Sequence, residues 1–427
     1  MQPDHVDVLV VGGGPAGSIA ALVLARAGAS VAVVDKARFP RDKACGDLVG
    51  PRGLQVLADL GVEEPAGTDV GDLFVMGPSG RRVRLPSAPG LAYPGRGRAV
   101  TRAVFDLALR RAALDAGARA VEGRAGTPVR SDSGLSGFDV ARPGAGTRRL
   151  IADFVIGADG ATSHVARMAG LVDTTRVLWG FAVRSYVAQP VDLPVIALWE
   201  QGPGRAFPGY GWIFPGPDGV ANVGLGVGTL ADRSSGAAAV RALPDFFDHL
   251  RRHGLLAPSA AGPVPARLGG WLKMGMVGTL PARGRVLLVG DAAGLVNPLQ
   301  GEGIAQAMAS GRAAAQAIVG TPAEAAVAYR RRLADQHLPY HRVAAAGHAA
   351  LVGRPRAVSV LGRAVTSPVV GPRLAGGWGL FWNELLQGAA PGPPRTIATA
   401  TTALARAVTA PTGVSRWFAT AYPRSGR

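Results

Sequence analysis

Val6-Asp-Val-Leu-Val-Val11 runs directly into Gly12-Gly-Gly14-Pro15-Ala16-Gly17, and these twelve residues decide the fold. A short, nearly continuous apolar run is what a strand buried on both faces requires. The G-x-G-x-x-G spacing that follows allows a tight turn and close approach of the backbone to a pyrophosphate. Pro15 and Ala16 then open a helical pattern to Ala27, whose N-terminus faces that anion. Ser30–Val34 is the next strand, and Asp35 ends it 23 residues after Gly12, in position to accept a hydrogen bond from an adenosine ribose. A bare glycine triplet is only a turn. Between two strands and a helix, with an acid in place, it predicts a dinucleotide site, and it does not choose between FAD and NAD.

Working outward, a helix is expected over 102–116, with core strands at 150–156 and 285–289. Strands of the nucleotide domain therefore come from both ends of a long middle section. That middle section, about 171–279, carries short β-like runs at 179–187, 195–200 and 220–227, punctuated by Gly and Pro. It reads as an antiparallel sheet to which 71–97 adds strands. Residues 303–333 turn helical again, and 334–427 read as helices broken by Pro and Gly, with no fixed-period repeat.

Two later segments choose the cofactor. Gly157-Ala-Asp159-Gly160 follows a strand, and so does Gly290-Asp291, which leads to Asn297-Pro-Leu-Gln-Gly301-Glu302-Gly303-Ile304. With the first glycine turn, these resemble the three fingerprints of the flavoprotein class that includes p-hydroxybenzoate hydroxylase. The resemblance implies FAD, with Asp291 on its ribityl or ribose oxygens and the Gly301–Ile304 run beside the flavin pyrimidine ring. A helix N-terminus there stabilises the negative charge of reduced flavin. The expected fold is α/β: a Rossmann-like, glutathione-reductase-like FAD-binding domain (1–70, 98–170 and 280–333), an inserted antiparallel-sheet substrate domain (71–97 and 171–279) and a C-terminal helical region (334–427). No second G-x-G-x-x-G follows a later strand, so NAD(P)H or another reductant is expected to bind only transiently.

Narrower motifs resemble the geranylgeranyl reductase family, which saturates isoprenoid double bonds. Arg38-Phe-Pro-Arg41-Asp-Lys43-Ala-Cys45-Gly46-Asp47 is similar to its segment leading into a Cys-Gly-Asp or Cys-Gly-Gly turn. Pro208-Gly-Tyr210-Gly-Trp212-Ile-Phe214-Pro215 is similar to its P-x-x-Y-x-W-x-F-P signature, one residue short, and Ala221-Asn-Val-Gly224-Leu-Gly226 follows it. Asp47-Leu48 departs from the family, where many members carry a further glycine. The resemblance implies cofactor contacts from Lys36, Lys43, Cys45, Gly46, Arg102 and Gly126, beside Gly12, Gly14, Pro15, Ala16, Gly17, Asp35, Asp159, Gly290, Asp291, Gly301, Gly303 and Ile304. Tyr210, Trp212 and Phe214, two apart on a strand, share one face and form an aromatic wall. An isolated alkene has no carbonyl to stabilise a carbanion, so protonation comes first and hydride transfer from reduced flavin N5 second. Aromatic faces stabilise the intermediate cation by roughly 0.5–2 kcal/mol each when desolvated. Cys45 and Tyr210 are the candidate acids, and Cys45, Tyr210, Trp212 and Phe214 the candidate catalytic set.

Composition narrows the rest. Of 46 basic residues only Lys36, Lys43 and Lys273 are lysine, and the net charge is +17. This reads as an arginine-biased surface. No nucleic-acid motif accompanies it. Cys45 is the only cysteine, which excludes an internal disulfide or a cysteine zinc site, and no metal is expected. No charge-free run of 18 apolar residues occurs, so a cytoplasmic protein without a membrane span is expected. Peripheral membrane contact is expected from a prenyl or similar apolar substrate and an arginine-bearing tail, including 403–410 and 416–418. Three rivals share the scaffold: an FAD monooxygenase (hydroxylase or epoxidase), a flavin halogenase, and a non-catalytic prenyl-lipid carrier. The halogenase needs a relay lysine, and none lies between Lys43 and Lys273.

Overall fold

A computed structural model describes residues 4–85, 95–229, 235–260, 268–351 and 353–371, with isolated positions further on. The stretches 403–410 and 416–418 lie outside the described residues, apart from position 403.

The opening apolar run forms the strand Asp4–Val11, and Leu9 and Val10 are fully buried in the middle of an eight-stranded sheet. It pairs in parallel with Val31–Asp35 on one side and with Gly146–Gly157 on the other. Arg119–Glu122 and Val286–Leu288 extend the parallel core outward. Pro15 starts the helix Pro15–Arg26, which buries Ile19, Leu22 and Leu24 against the sheet. The helix Ile304–Gly320 crosses it closely: a Cβ at Gly311 would lie 2.2 Å from the Ala16 carbonyl oxygen. Glycine is what allows this approach. The mixed α/β fold thus has the FAD-binding architecture expected from the fingerprints. Arg124–Ser131 and Gly134–Arg142 add an antiparallel hairpin to the long 146–157 strand, an extension the sequence reading did not contain.

A second, seven-stranded sheet runs in the order Leu268–Met274, Leu178–Val187, Ala221–Gly228, Gly209–Pro215, Val195–Ala197, Leu73–Met76, Arg82–Leu85. It departs from pure antiparallel pairing at one joint, where Val195–Ala197 and Leu73–Met76 are parallel. Those strands meet across more than a hundred residues, so no hairpin fixes their relative direction. One face is covered by the helix Ser235–Arg252, which the all-strand expectation for 171–279 missed. Ala239, Ala242, Leu243, Phe246, Phe247 and Leu250 are buried at helical spacing despite Pro244 inside the element.

A small three-stranded sheet, Leu48–Val49, Gly97–Ala99 and Thr68–Val70, carries the turn at residues 45–47. Leu48 and Ala99 pack in one cluster with Trp212 and Phe214 of the seven-stranded sheet. C-terminal to residue 320, the helices Ala325–Gln336, Leu338–Leu351 and Pro355–Val365 follow.

Candidate cofactor and substrate site

The first glycine turn is built by contact, and each glycine has a reason. Gly12 has φ +109°, and a Cβ there would lie 2.2 Å from the Ala158 carbonyl oxygen. A Cβ at Gly17 would lie 1.9 Å from the Gly12 carbonyl oxygen, so helix and turn close on each other only because both residues lack side chains. Gly14, the N-cap, contributes no side-chain hydrogen bond to the 15–26 helix. Asp35 Oδ2 accepts the Gly13 N–H at 2.7 Å and Oδ1 accepts that of Ala37 at 2.8 Å, so the carboxylate shapes the turn and keeps further lone pairs for a ribose. Lys36 beside it is exposed.

Two arginines close over this turn. Arg110 Nη1 lies 2.6 Å from where a Gly13 Cβ would be, and Arg41 Nη2 3.5 Å from that of Gly14. Their guanidiniums face the Phe39 ring at 4.5 and 5.0 Å from its centroid. Arg110 Nη1 is buried without a hydrogen-bond partner among the described residues. An orphaned cationic donor and a helix start without a side-chain cap, converging on a glycine turn, fit the diphosphate of FAD. Neither arginine was among the residues singled out from the sequence. A usable signal exists: Arg102, Asp106 and Arg110 lie at i, i+4, i+8 on the helix Arg102–Asp115, and all three are buried.

Arg102, expected near the cofactor, donates to both Asp106 oxygens at 2.8 and 2.7 Å. Arg41 Nη1 reaches the same Asp106 at 2.9 Å. Asp159 caps the short helix at His164, accepting the N–H groups of His164 and Val165 at 2.6 and 3.1 Å. His164 Nε2 sits 2.7 Å from the Gly126 carbonyl oxygen, which joins Gly126 to that turn. Gly290 (φ +56°) is held by Ser310 Oγ, and Asp291 lies 3.8 Å from Lys43 Nζ. Lys273, buried, donates to the Ala292 carbonyl; burial pulls its ammonium down to about 8, opposed by the carboxylates of Asp159 and Asp291. At the Gly301–Ile304 run, the Glu302 carboxylate accepts the N–H of Ala305 at 2.9 Å, and the Ile304 N–H also pulls that carboxyl down. Burial nonetheless pushes the Glu302 carboxyl up.

The substrate side lies where the second sheet meets these loops. Tyr210, Trp212 and Phe214 share one face of Gly209–Pro215, with ring centroids 6.1 and 6.3 Å apart in succession. Gly211 and Ile213 point to the opposite face, toward the 235–252 helix. A Cβ at Gly46 would lie 3.0 Å from Phe214 and 3.5 Å from Trp212 Nε1, and one at Gly301 2.8 Å from the Tyr210 hydroxyl. The aromatic strand therefore seals against both the Cys45 turn and the Gly301 turn. Gly224 makes room for the indole, since its Cβ would lie 2.2 Å from Trp212. This gives a physical reason for a glycine in the run after the aromatic strand. Tyr210 donates its hydroxyl to the Gln300 carbonyl, and burial pushes its pKa up. Burial likewise raises the Cys45 thiol, against the pull of Arg102.

Asp47 completes the turn. It holds φ +58°, a conformation that costs a non-glycine residue of order 1–3 kcal/mol. A glycine-like backbone here carries an acid.

The FAD binding domain family matches residues 5–207. A menaquinone reductase of Mycolicibacterium smegmatis is 39% identical over 320 residues, 73% of this chain and 76% of that protein. The chain belongs to the geranylgeranyl reductase family of FAD-dependent oxidoreductases. Another member, digeranylgeranylglycerophospholipid reductase 2 of Methanopyrus kandleri, is 33% identical over 73% of this chain and 76% of its own. The same fold occurs in a geranylgeranyl bacteriochlorophyll reductase-like protein of Thermoplasma acidophilum, with TM-score 0.69 and 23% identity over 89% of this chain and 96% of that one. Tyr186, whose hydroxyl bonds the Asp47 carboxylate, and Asn222, which donates to that carboxylate and to the Cys45 carbonyl, join Arg41 and Arg110 as residues of the candidate site that the sequence did not single out.

Proposed function

We propose that this FAD-dependent reductase saturates carbon–carbon double bonds of a prenyl chain or similar apolar substrate. The observation that carries the reading is the closure of the Tyr210–Trp212–Phe214 face on the Cys45–Gly46 turn and on Gly301. That face is an aromatic surface, buried at Trp212 and Phe214 and partly exposed at Tyr210, that packs against both turns. The mycobacterial and archaeal relatives, by their names, act on a quinone and on prenyl lipids.

Bound FAD, once reduced by NAD(P)H or another donor, supplies the electron pair for saturation. The chain does the rest. Asp35, Arg41, Arg110 and the start of the 15–26 helix would hold the dinucleotide end of FAD, and Lys43 and Asp291 flank the later turn. The aromatic rings exclude water and face a developing cation with electron-rich surfaces. Cys45 keeps its proton at neutral pH because burial raises the thiol, which leaves it available as the acid. Tyr210 is the weaker acid candidate, since its hydroxyl proton already serves the Gln300 carbonyl; it positions the Gly301 turn.

The test is anaerobic. FAD-loaded protein, reduced with dithionite, is incubated with menaquinone, geranylgeranyl diphosphate and geranylgeranyl glycerolipids, and products are read by mass spectrometry. Gain of two hydrogens per double bond is the expected result. A product formed only with oxygen and carrying an oxygen atom would replace this reading with the monooxygenase one.

A further inference from the structure

The turn Cys45–Gly46–Asp47 contains an acid that the scheme above leaves unused. Asp47 is 1% exposed, and its carbonyl is fixed by the Val100 N–H at 2.8 Å. Its Oδ2 accepts Asn222 Nδ2 at 2.9 Å and the Tyr186 hydroxyl. Its Oδ1 is buried with no hydrogen-bond partner among the described residues. Asn222 Nδ2 also donates to the Cys45 carbonyl at 2.9 Å, and Asn222 Oδ1 accepts Trp212 Nε1 at 2.9 Å. One amide therefore ties the acid, the thiol turn and the aromatic wall together. Burial raises the thiol pKa, and Arg102 and the Asp47 backbone N–H both pull it down.

We propose that Asp47 is the proton store of this site, reloading Cys45 after its thiol has protonated the substrate, with Tyr186 returning the proton from water. The proposal rests on the double-bond reading above. In the first step the Cys45 S–H bond breaks and the alkene π pair forms the new C–H bond, leaving a thiolate beside Arg102. The Asp47 O–H bond then breaks and its proton moves to sulfur, leaving a carboxylate held by Asn222 and Tyr186. Tyr186, half-buried, is held as the phenol by burial and by the Asp47 charge, so it gives its hydroxyl proton to Asp47 Oδ2 only as it takes one from water in the same step. The net input is one proton from solvent, and no electrons move in these steps.

The local charges set the direction. Burial raises Asp47 to about 6, opposed by Tyr186, Arg184, Asn222 and Arg102. Arg184 faces Asp47 from the 178–187 strand, lying over the Tyr186 ring at 4.0 Å and pairing with Asp42 behind it. Cys45, pushed up by burial and by the Asp47 charge, holds a proton more tightly than the carboxyl does. Transfer from oxygen to sulfur is downhill.

Cys45 is the only thiol of the chain, so alkylation by iodoacetamide reports its ionisation without ambiguity. The rate is measured against pH on FAD-loaded protein without substrate. Wild type is expected to show two inflections, the lower near pH 6, where ionising Asp47 suppresses the thiolate. Asp47→Asn is expected to show one, with alkylation about tenfold faster at mildly alkaline pH for each unit of coupling removed. Tyr186→Phe removes a donor to the carboxylate and is expected to move the lower inflection to higher pH. Superimposable wild-type and Asp47→Asn profiles overturn the proposal, and so does an unmoved inflection in Tyr186→Phe if Asp47→Asn fails to fold. Anaerobic turnover is measured alongside, with kcat expected to drop about tenfold or more in Asp47→Asn at little change in KM. Two-step alkylation with no saturation of any substrate leaves the acid–thiol pair standing and removes the substrate reading. Saturation with coincident profiles does the reverse.

Discussion

Lys273 is a lysine where a protein interior rarely tolerates one: 1% exposed, with its Nζ donating to the Ala292 carbonyl beside the Asp291 turn. Burial pulls it to about 8, against about 10.4 for a free lysine. Between those values the unfolded chain holds the proton and the folded chain has released it, so unfolding takes up protons and stability rises with pH across roughly 8 to 10. Below pH ~8 both states are charged and the penalty is constant, of order 3 kcal/mol at 1.36 kcal/mol per unit. Lys273→Met is therefore expected to flatten the rise in urea midpoint over that window. An identical slope in wild type and variant would show that the ammonium is solvated. Single residues of this kind are legible in a sequence only by their rarity: three lysines among 46 basic residues make each one conspicuous, yet nothing in the sequence says which is buried.

At the scale of elements, the contact between strand 209–215 and helix 235–252 is as tight as glycine permits. A Cβ at Gly211 would lie 2.2–2.3 Å from two atoms of the Phe246 ring, which itself packs 5.5 Å from Trp199. Gly211→Ala must push the helix off the sheet and is expected to cost about 1–3 kcal/mol, as over-packing does. Phe246→Leu alone leaves a gap and also destabilises, but combined with Gly211→Ala it is expected to recover part of the loss. Thermal midpoints of the four proteins close the cycle, and strictly additive losses would mean that the two side chains do not meet. The aromatic face of this strand was readable in advance, because alternation two apart assigns Tyr210, Trp212 and Phe214 to one side without tertiary knowledge. The helix on the other side was not. The segment lay inside a stretch read as short strands broken by Gly and Pro, Pro244 among them, and the sheet's need for cover over Val183, Ile213, Val223 and Leu225 makes a helix of it.

For the whole molecule, what the sequence discloses follows the range of the interaction. The glycine turns were legible because strand, turn and helix are contiguous. The Asp47 cluster was not, since Tyr186 and Asn222 reach it from 139 and 175 residues away. Surface charge, a property of the entire chain, makes a further expectation testable. No helix among the described residues is long and apolar enough to cross a membrane, while a prenyl chain of the kind proposed as substrate partitions into one. The helix Pro355–Val365 exposes Val360 (69%) and Leu361 (45%), with Arg354 and Arg356 exposed near its start and Val369 and Val370 exposed just beyond it. An apolar ridge bordered by arginines on a chain of net charge +17 is suited to lie at an anionic bilayer surface, each basic residue there contributing about 1 kcal/mol at low salt. The protein is expected to co-sediment with phosphatidylglycerol vesicles and not with phosphatidylcholine vesicles, and to be released by salt. Replacing Val360 and Leu361 with glutamate is expected to abolish co-sedimentation while leaving the bound-flavin spectrum unchanged. Undiminished binding by that variant would move the contact to another surface, and no binding by wild type at low salt would mean that the substrate is delivered from the membrane to the protein by other means.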